Sequence, residues 1–310
     1  PVAFCGRVIM LFQFVPMKSI LFSLLTLFLS CAAVHAQRVS GPAGKVYTYK
    51  EVDGVKRELE VYFPEGHDSA TKPVPGIIFF HGGGWGGGSR DAFKYQSAYF
   101  ASRGIVAATV TYRLATKEAS AEIKDNTSRK RLCIPDAKSA IRWFKQHADE
   151  LGVDPARLIV GGGSAGGHIG LIATSNPELN DPNDPKKFDT SIAAMVLFNP
   201  ALSIADAEDP EIDFIQHLKP GAASAIAFFG SKDRWLKGWN PAYEKWKSLE
   251  GATIEVEIAQ GQGHAFFNRQ PWADLTLVAA DKFLKGLGFL KGEPTLPMPA
   301  NGEKLVPFVK

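Results

Sequence analysis

The sequence has few cysteines and no long run of charge of one sign, and both shortages limit what the protein can be. It contains three cysteines in 310 residues and has a formal net charge of +3. The short basic run at residues 129–131 is typical of a solvated loop or helix end. Nothing therefore predicts a nucleic-acid partner. The histidines and acidic residues lack the spacing of metal ligands, so we expect no metal and no other cofactor.

Residues 1–36 have the composition of a leader rather than of a folded domain. A methionine and a lysine precede an apolar run at residues 20–29, and the small residue Ala36 stands at the expected cleavage position. Such an order is typical of a secretory signal peptide, and the apolar run is too short to predict a membrane span. We therefore expect export, with Cys31 leaving open a lipid-anchored alternative. Removal of this leader would leave only Cys133, which cannot form an intramolecular disulfide and which we expect to be buried.

The rest of the sequence alternates predicted strands and helices. Residues 46–52 and 59–63 flank Asp53-Gly54, which predicts a β-hairpin. Apolar runs predict further strands at residues 77–80, 105–112, 158–160, 192–198, 225–229 and 253–258. Helices are predicted at residues 136–150, 165–174, 241–250 and 271–287, two of them opened by Pro135 and Pro241. This order favours an α/β fold with one mostly parallel sheet covered on both faces.

Domain boundaries follow from the same pattern. We expect one catalytic domain over residues 37–290 and an extended tail over residues 291–310. The segment at residues 201–223 lies between two predicted strands, where a lid would be inserted, but it is short.

Ser164 stands in a glycine-rich turn between a predicted strand and a predicted helix. Gly162 and Gly166 flank it two residues away on either side. Such glycines permit a turn so tight that the serine hydroxyl projects from the backbone, which is the nucleophile elbow. A phosphate-binding turn is the alternative, but no lysine follows where a Walker A motif requires one. The pattern therefore predicts that Ser164 is a nucleophile.

A second glycine cluster, at residues 81–85, follows the predicted strand at residues 77–80. Glycines let backbone N–H groups approach a developing oxyanion closely. By itself the cluster could be a simple connecting loop. Because it lies upstream of the Ser164 turn and at the end of another strand, it indicates an oxyanion hole.

The motifs at residues 81–85, 112–114 and 162–167 together resemble those of hormone-sensitive-lipase-like esterases. They resemble equally the compact BD-FAE-like esterases that remove acetyl or feruloyl groups from plant polysaccharides. The resemblance spans about residues 47–287 and implies the α/β-hydrolase fold, with helices flanking the central sheet. It also implies that the amide donors to the oxyanion are those of Gly83, Gly84 and Ala165.

The resemblance implies the remaining triad residues as well, because this fold places the acid and then the histidine after the serine. Asp233 lies four residues after the predicted strand at residues 225–229, and His264 lies in a loop after the last predicted strand. Histidine can take the serine proton near neutral pH, and the aspartate orients it. We expect structural or surface roles for the other candidates, which are Asp206, Asp209, Asp213, His67, His147, His168 and His217.

The sequence thus predicts a serine carboxylic ester hydrolase of α/β-hydrolase fold. The predicted hairpin replaces the helical cap of hormone-sensitive-lipase-like enzymes, so we expect an open site with little lid. Such a site favours short acyl groups, and a carbohydrate is one alcohol that it could admit. An exopeptidase or arylformamidase on the same fold stays open, as does a non-catalytic binding module.

Tryptophans near these motifs have two interpretations. Trp85, Trp235 and Trp239 could line the substrate cleft, or they could serve only in packing. Trp85 and Trp235 are the candidates for substrate binding. The sequence gives no indication of the oligomeric state.

Overall fold

The computed structural model describes residues 44–116, 123, 125–299 and 302–309. Among these residues nine strands form one sheet in the order β1-β2-β4-β3-β5-β6-β7-β8-β9. The strands are β1 Lys45–Val52, β2 Val55–Tyr62, β3 Val74–Phe80, β4 Val106–Val110, β5 Val153–Gly163, β6 Ala194–Phe198, β7 Ser224–Gly230, β8 Ile254–Ala259 and β9 Leu305–Pro307. The six strands from β4 to β8 in the sheet order are parallel, whereas β1, β2 and β9 are antiparallel at its edges.

The predicted leader, residues 1–36, lies outside the described residues together with Cys31. Its signal peptide and the lipid-anchored alternative therefore stay predictions. None of the helices in the described part of the chain is long and apolar enough to span a bilayer.

Helices cover both faces of the sheet. The longer ones are α1 Lys94–Ser102, α2 Asn126–Gln146, α3 Ala165–Ser175, α4 Leu236–Lys247 and α5 Trp272–Gly286. Alternate residues of β3 show the two cores. Ile77 and Phe79 pack with α1 and α5, whereas Ile78 and Phe80 pack with α2 and α3. All four side chains are fully buried, as expected for a parallel strand between two layers. The predicted fold class is confirmed.

Helix α2 begins nine residues before Pro135, so the prediction that this proline opens it was wrong. The carboxylate of Asp125 caps the helix by accepting from the Ser128 N–H at 2.7 Å. An interior proline removes one helical hydrogen bond and strains the preceding turn. The apolar face outweighs this penalty, because Ile141 and Phe144 are fully buried against the sheet.

The predicted start of helix α4 was wrong for the same reason, because a proline lies inside this helix as well. It begins at Leu236 and contains Pro241 in its interior. Trp239, Ala242 and Trp246 follow a helical spacing across the proline and are all buried. Because these side chains are buried, the helix begins at Leu236, upstream of the start that Pro241 alone suggests.

The connection after β6, at the carboxyl ends of the parallel strands, contains little helical structure. Between β6 and β7 the chain forms only a 3₁₀ turn, Ile204–Glu208, and a single helical turn, Phe214–His217. The prediction of a minimal lid is therefore confirmed. The C-terminal tail, in contrast, contains β9, which pairs with β8 through Ile258 and Val306 and was not predicted as a strand.

Candidate active site

Ser164 stands at the turn between β5 and α3 in a strained backbone conformation. Its φ is 53° and its ψ is −117°. A non-glycine residue held in such a region costs about 1–3 kcal/mol. The Ser164 N–H donates to the carbonyl of Phe198 at 2.9 Å, and the Ser164 carbonyl accepts from the Ala201 N–H at 3.0 Å. These two bonds, to the last residue of β6 and to the chain after it, hold the turn in place.

The flanking glycines are required because other backbone atoms approach them too closely for a side chain. A Cβ atom on Gly162 would lie 2.7 Å from the carbonyl group of Gly166. A Cβ atom on Gly166 would lie 2.0 Å from the Phe80 carbonyl oxygen and 2.4 Å from that of His81. Contacts this short cannot be relieved without moving the backbone of β3. The glycine pattern therefore has the steric cause expected for an elbow.

The structure brings Ser164, His264 and Asp233 together. His264 Nε2 lies 2.7 Å from Ser164 Oγ, and His264 Nδ1 lies 2.8 Å from Asp233 Oδ2. With its proton on Nδ1, a neutral imidazole donates to Asp233 and accepts from the serine hydroxyl. Asp233 is buried, and its Oδ1 accepts from the Trp235 N–H at 3.0 Å. The three side chains thus form one hydrogen-bonded path at the carboxyl ends of β5, β7 and β8.

Asn199 supports the loop that carries His264, and sequence reasoning missed it. This fully buried residue follows β6, and its N–H donates to the Phe228 carbonyl at 2.7 Å. Its Oδ1 accepts from the N–H of Ala265, the residue after His264, at 3.0 Å. A polar residue placed directly after a buried strand was the available signal.

The glycine loop after β3 contacts the nucleophile turn. A Cβ atom on Gly82 would lie 3.2 Å from the Ser164 Cβ. Among the described residues, no hydrogen bond uses the N–H of Gly83, Gly84 or Ala165. Ala165 is the first residue of α3, where the helix dipole favours negative charge. These three amides can therefore serve as oxyanion donors.

His81 shapes this loop rather than supplying chemistry. Its Nδ1 donates to the Gly82 carbonyl at 2.7 Å, and Tyr112 donates its hydroxyl proton to the His81 carbonyl at 2.6 Å. The two rings stack with centroids 4.4 Å apart. Burial lowers the pKa of His81, so its ring is neutral at neutral pH.

The tryptophans separate into two groups. Trp85 and Trp239 are buried, with 3% and 0% of their surface exposed, which favours the packing interpretation. Trp235 is partly exposed, and its ring centroid lies 6.4 Å from that of His264. Trp235 is therefore the candidate for contact with substrate.

A polar cavity of about 530 Å³ lies beside Trp235. Its lining also includes charged and hydroxyl side chains, among them Lys130, Ser203, Asp206, Glu208 and Asp209.

The described part of the chain contains no group of three or more histidine, cysteine, aspartate or glutamate side chains that could hold a metal ion.

The other acidic candidates are engaged elsewhere. Asp206 pairs with Lys130, Asp209 pairs with Arg131, and Asp213 accepts from the Ile215 N–H. Lys130 is 2% exposed, so the interpretation of residues 129–131 as solvated was wrong for this lysine.

The four remaining histidine candidates are also engaged outside the triad. A ring nitrogen of each lies within hydrogen-bond distance of a main-chain carbonyl oxygen. The four histidines are His67, His147, His168 and His217.

Comparisons with known proteins agree with this geometry. The BD-FAE family model matches residues 59–209. Carboxylesterase NlhH of Mycobacterium tuberculosis is 33% identical over 266 residues, covering 75% of this chain and 77% of NlhH. The apo form of Thermogutta terrifontis esterase 2 superimposes with a TM-score of 0.72 at 32% identity, covering 83% of this chain and 99% of that one. Esterase LipC of M. tuberculosis is 32% identical over 158 residues, which is 49% of this chain and 37% of LipC.

Fold and site together define a protein of the α/β-hydrolase class. Within that class, the chain belongs to the BD-FAE-like and hormone-sensitive-lipase-like carboxylesterases, which confirms the resemblance seen in the motifs. Some relatives are longer: the matched region spans 37% of LipC and 51% of bovine arylacetamide deacetylase.

We expect Gly166→Ala to destabilise the protein by about 1–3 kcal/mol or more, because its Cβ would displace the backbone of β3. Gly286→Ala is the matched control, since a Cβ there meets no atom within 4 Å. Urea unfolding of both variants measures the difference. If Gly166→Ala proved as stable as Gly286→Ala, the steric account of the elbow would be wrong.

We expect Asp233→Asn to lower kcat by about 10³–10⁴-fold, because an amide at this position favours the wrong imidazole tautomer. The fold should survive, since the asparagine oxygen can still accept from the Trp235 N–H. The check is kcat at neutral pH together with the melting temperature. Asp213→Asn, at a buried acid outside the triad, serves as the control and should retain kcat. A loss of less than tenfold in Asp233→Asn would remove Asp233 from the triad.

Proposed function

We propose that this chain is a serine carboxylesterase that hydrolyses short-chain acyl esters through an acyl-enzyme on Ser164. The observation that carries the proposal is the path from Asp233 through His264 to Ser164, with distances of 2.8 and 2.7 Å. Both distances are within the range that proton transfer requires.

In the acylation half-reaction, Ser164 Oγ attacks the ester carbonyl carbon while His264 Nε2 takes the serine proton. The carbonyl electron pair moves to oxygen, and the amides of Gly83, Gly84 and Ala165 donate to the resulting oxyanion. Donors of this kind each contribute about 10²–10³ in kcat. The intermediate then collapses, the carbon–oxygen bond to the alcohol breaks, and His264 returns its proton to the departing alcohol.

In the deacylation half-reaction, a water molecule takes the place of the alcohol. His264 removes one of its protons as the water oxygen attacks the acyl carbon. Collapse of the second intermediate breaks the bond to Ser164 Oγ, which recovers its proton from His264. The carboxylic acid product leaves, and Asp233 stabilises the imidazolium that forms in both halves.

The limited helical structure between β6 and β7 supports short acyl groups. Its two single turns are too small to form the helical cap that would enclose a long alkyl chain. The His264 side chain is 33% exposed, so the site opens directly to solvent.

The surroundings of Trp235 support a polar alcohol, and we propose a carbohydrate. A partly exposed aromatic face beside hydroxyl and charged groups suits a polyhydroxylated ring, which has an apolar face and a polar rim. Trp235 provides this combination, because it lines the polar cavity of about 530 Å³ and its ring centroid lies 6.4 Å from that of His264.

We expect hydrolysis of p-nitrophenyl acetate and butyrate to be at least about tenfold faster, in kcat/KM, than hydrolysis of the palmitate, because the described residues form no cap that would bind the longer chain. Ser164→Ala should lose this activity by several orders of magnitude. The measurement is p-nitrophenol release by residues 37–310. Equal activity in Ser164→Ala, or none on any ester, would refute the proposal. Comparison with p-nitroacetanilide tests the amide-hydrolase alternative, which predicts preference for the anilide.

We expect Trp235→Ala to lower acetate release from acetylated xylan about tenfold, because the apolar face of a sugar ring would lose its contact with the indole, and burial of apolar surface contributes about 25 cal/mol per Å². Turnover of p-nitrophenyl acetate should change less than threefold. Acetate is measured enzymatically with both substrates at neutral pH. Equal losses on both would indicate that Trp235 acts through His264 and not on the alcohol.

A further inference from the structure

The oxyanion loop has an unusual backbone that something outside it must stabilise. Gly83, Gly84 and Trp85 have φ values of 125°, 62° and 61°. Three successive residues with positive φ rotate the peptide groups of the loop. This rotation sets the direction in which the N–H groups of the loop point. Trp85 is the one of the three for which this conformation is strained.

Contacts of the Trp85 ring hold this residue in place, together with the Ala115 N–H, which donates to the Trp85 carbonyl at 2.8 Å. Lys130 Nζ lies over the ring, 4.8 Å from its centroid, and His168 meets it edge-on at 5.6 Å. The indole N–H has no hydrogen-bond partner among the described residues. The orientation of the ring therefore depends on its packing and on the cation, since no hydrogen bond of its own fixes it.

Lys130 is itself fixed by a carboxylate from the other side of the site. Its ammonium donates to Asp206 Oδ1, and Asp206 Oδ2 accepts from the Ser203 N–H at 3.0 Å. Lys130 and Asp206 are 2% and 6% exposed. His168 Nε2 lies 3.7 Å from Asp206, but burial and the nearby Lys130 keep the pKa of this histidine well below its usual range. Lys130 is thus the cation that pairs with Asp206.

We propose that Lys130 is a positioning residue for the oxyanion hole: its ammonium, anchored by Asp206, holds the Trp85 ring and with it the backbone of residues 83–85. The proposal rests on the function proposed above. It links the segment after β6, which carries Asp206, to the loop after β3. Neither Lys130 nor Asp206 contacts the reacting atoms in this account, so their effect passes through Trp85.

Lys138 provides a matched control on the same helix. It lies two turns further along α2 and is 1% exposed. Its ammonium donates to the carbonyls of Asn176, at 2.6 Å, and of Glu178. Loss of this ammonium removes a buried cation and its hydrogen bonds without touching the oxyanion loop.

The test is kcat and KM for p-nitrophenyl butyrate in Lys130→Met, Lys130→Arg and Lys138→Met, with melting temperatures. We expect Lys130→Met to lower kcat about 10- to 100-fold, with KM within about threefold, because small displacements of catalytic groups have effects of this size. Lys130→Arg restores a cation over the ring and should recover kcat to within about threefold of the wild type. Lys138→Met should lower the melting temperature but retain kcat within about twofold.

A second variant keeps the test decisive if Lys130→Met does not fold. Lys130→Met with Asp206→Leu removes both charges, so no uncompensated buried carboxylate is left. This double variant should fold and still show the lower kcat. Wild-type kcat in either folded variant would overturn the positioning role. Absence of Ser164-dependent turnover in the wild type would instead overturn the proposed function, so the two failures are distinguishable.

Discussion

The strained backbone of Ser164 depends on two positions at which no side chain can be present. With φ at 53° and ψ at −117°, the turn directs the hydroxyl away from β5 and towards His264. Gly162 and Gly166 allow this turn because their backbones nearly touch each other and the end of β3. Strain of this kind persists only where the surrounding structure over-determines it. Here the constraint comes from hydrogen bonds to Phe198, the last residue of β6, and to Ala201 after it, so Ser164 is held by the neighbouring strand and its loop.

The remaining chemistry is assembled around that turn by loops at the carboxyl ends of neighbouring strands. The loop after β3 approaches Ser164 at Gly82, the residue before Gly83 and Gly84, and Asn199 ties the His264 loop to β6 and β7. Lys130 and Asp206 add a link between the first of these loops and the short segment before β7. Each group is held by a specific contact to another loop. Such preorganisation lets fixed dipoles face the developing charge without reorganisation during the reaction.

Much of this arrangement is readable from the sequence, because it depends on local chemistry. Glycine spacing and apolar runs predict the elbow and the central strands, and the family resemblance implies the order of the triad residues along the chain. The errors arise where long-range packing prevails over local preference. Pro135 and Pro241 lie inside helices because the apolar faces around them are buried, and Lys130 is buried because Asp206, 76 residues away, pairs with it. Trp85 is part of a recognisable motif, yet only the fold shows that its ring packs inward.

The central claim is that Ser164 is the activated nucleophile of this site. Reaction with a p-nitrophenyl dialkyl phosphate tests it directly, because an activated serine is phosphorylated and displaces p-nitrophenol. Peptide mass mapping then locates the adduct. The account predicts one equivalent of p-nitrophenol per chain, an adduct on the peptide that contains Ser164, and a much slower reaction in His264→Ala. An adduct on another residue, or an equal rate in His264→Ala, would contradict it.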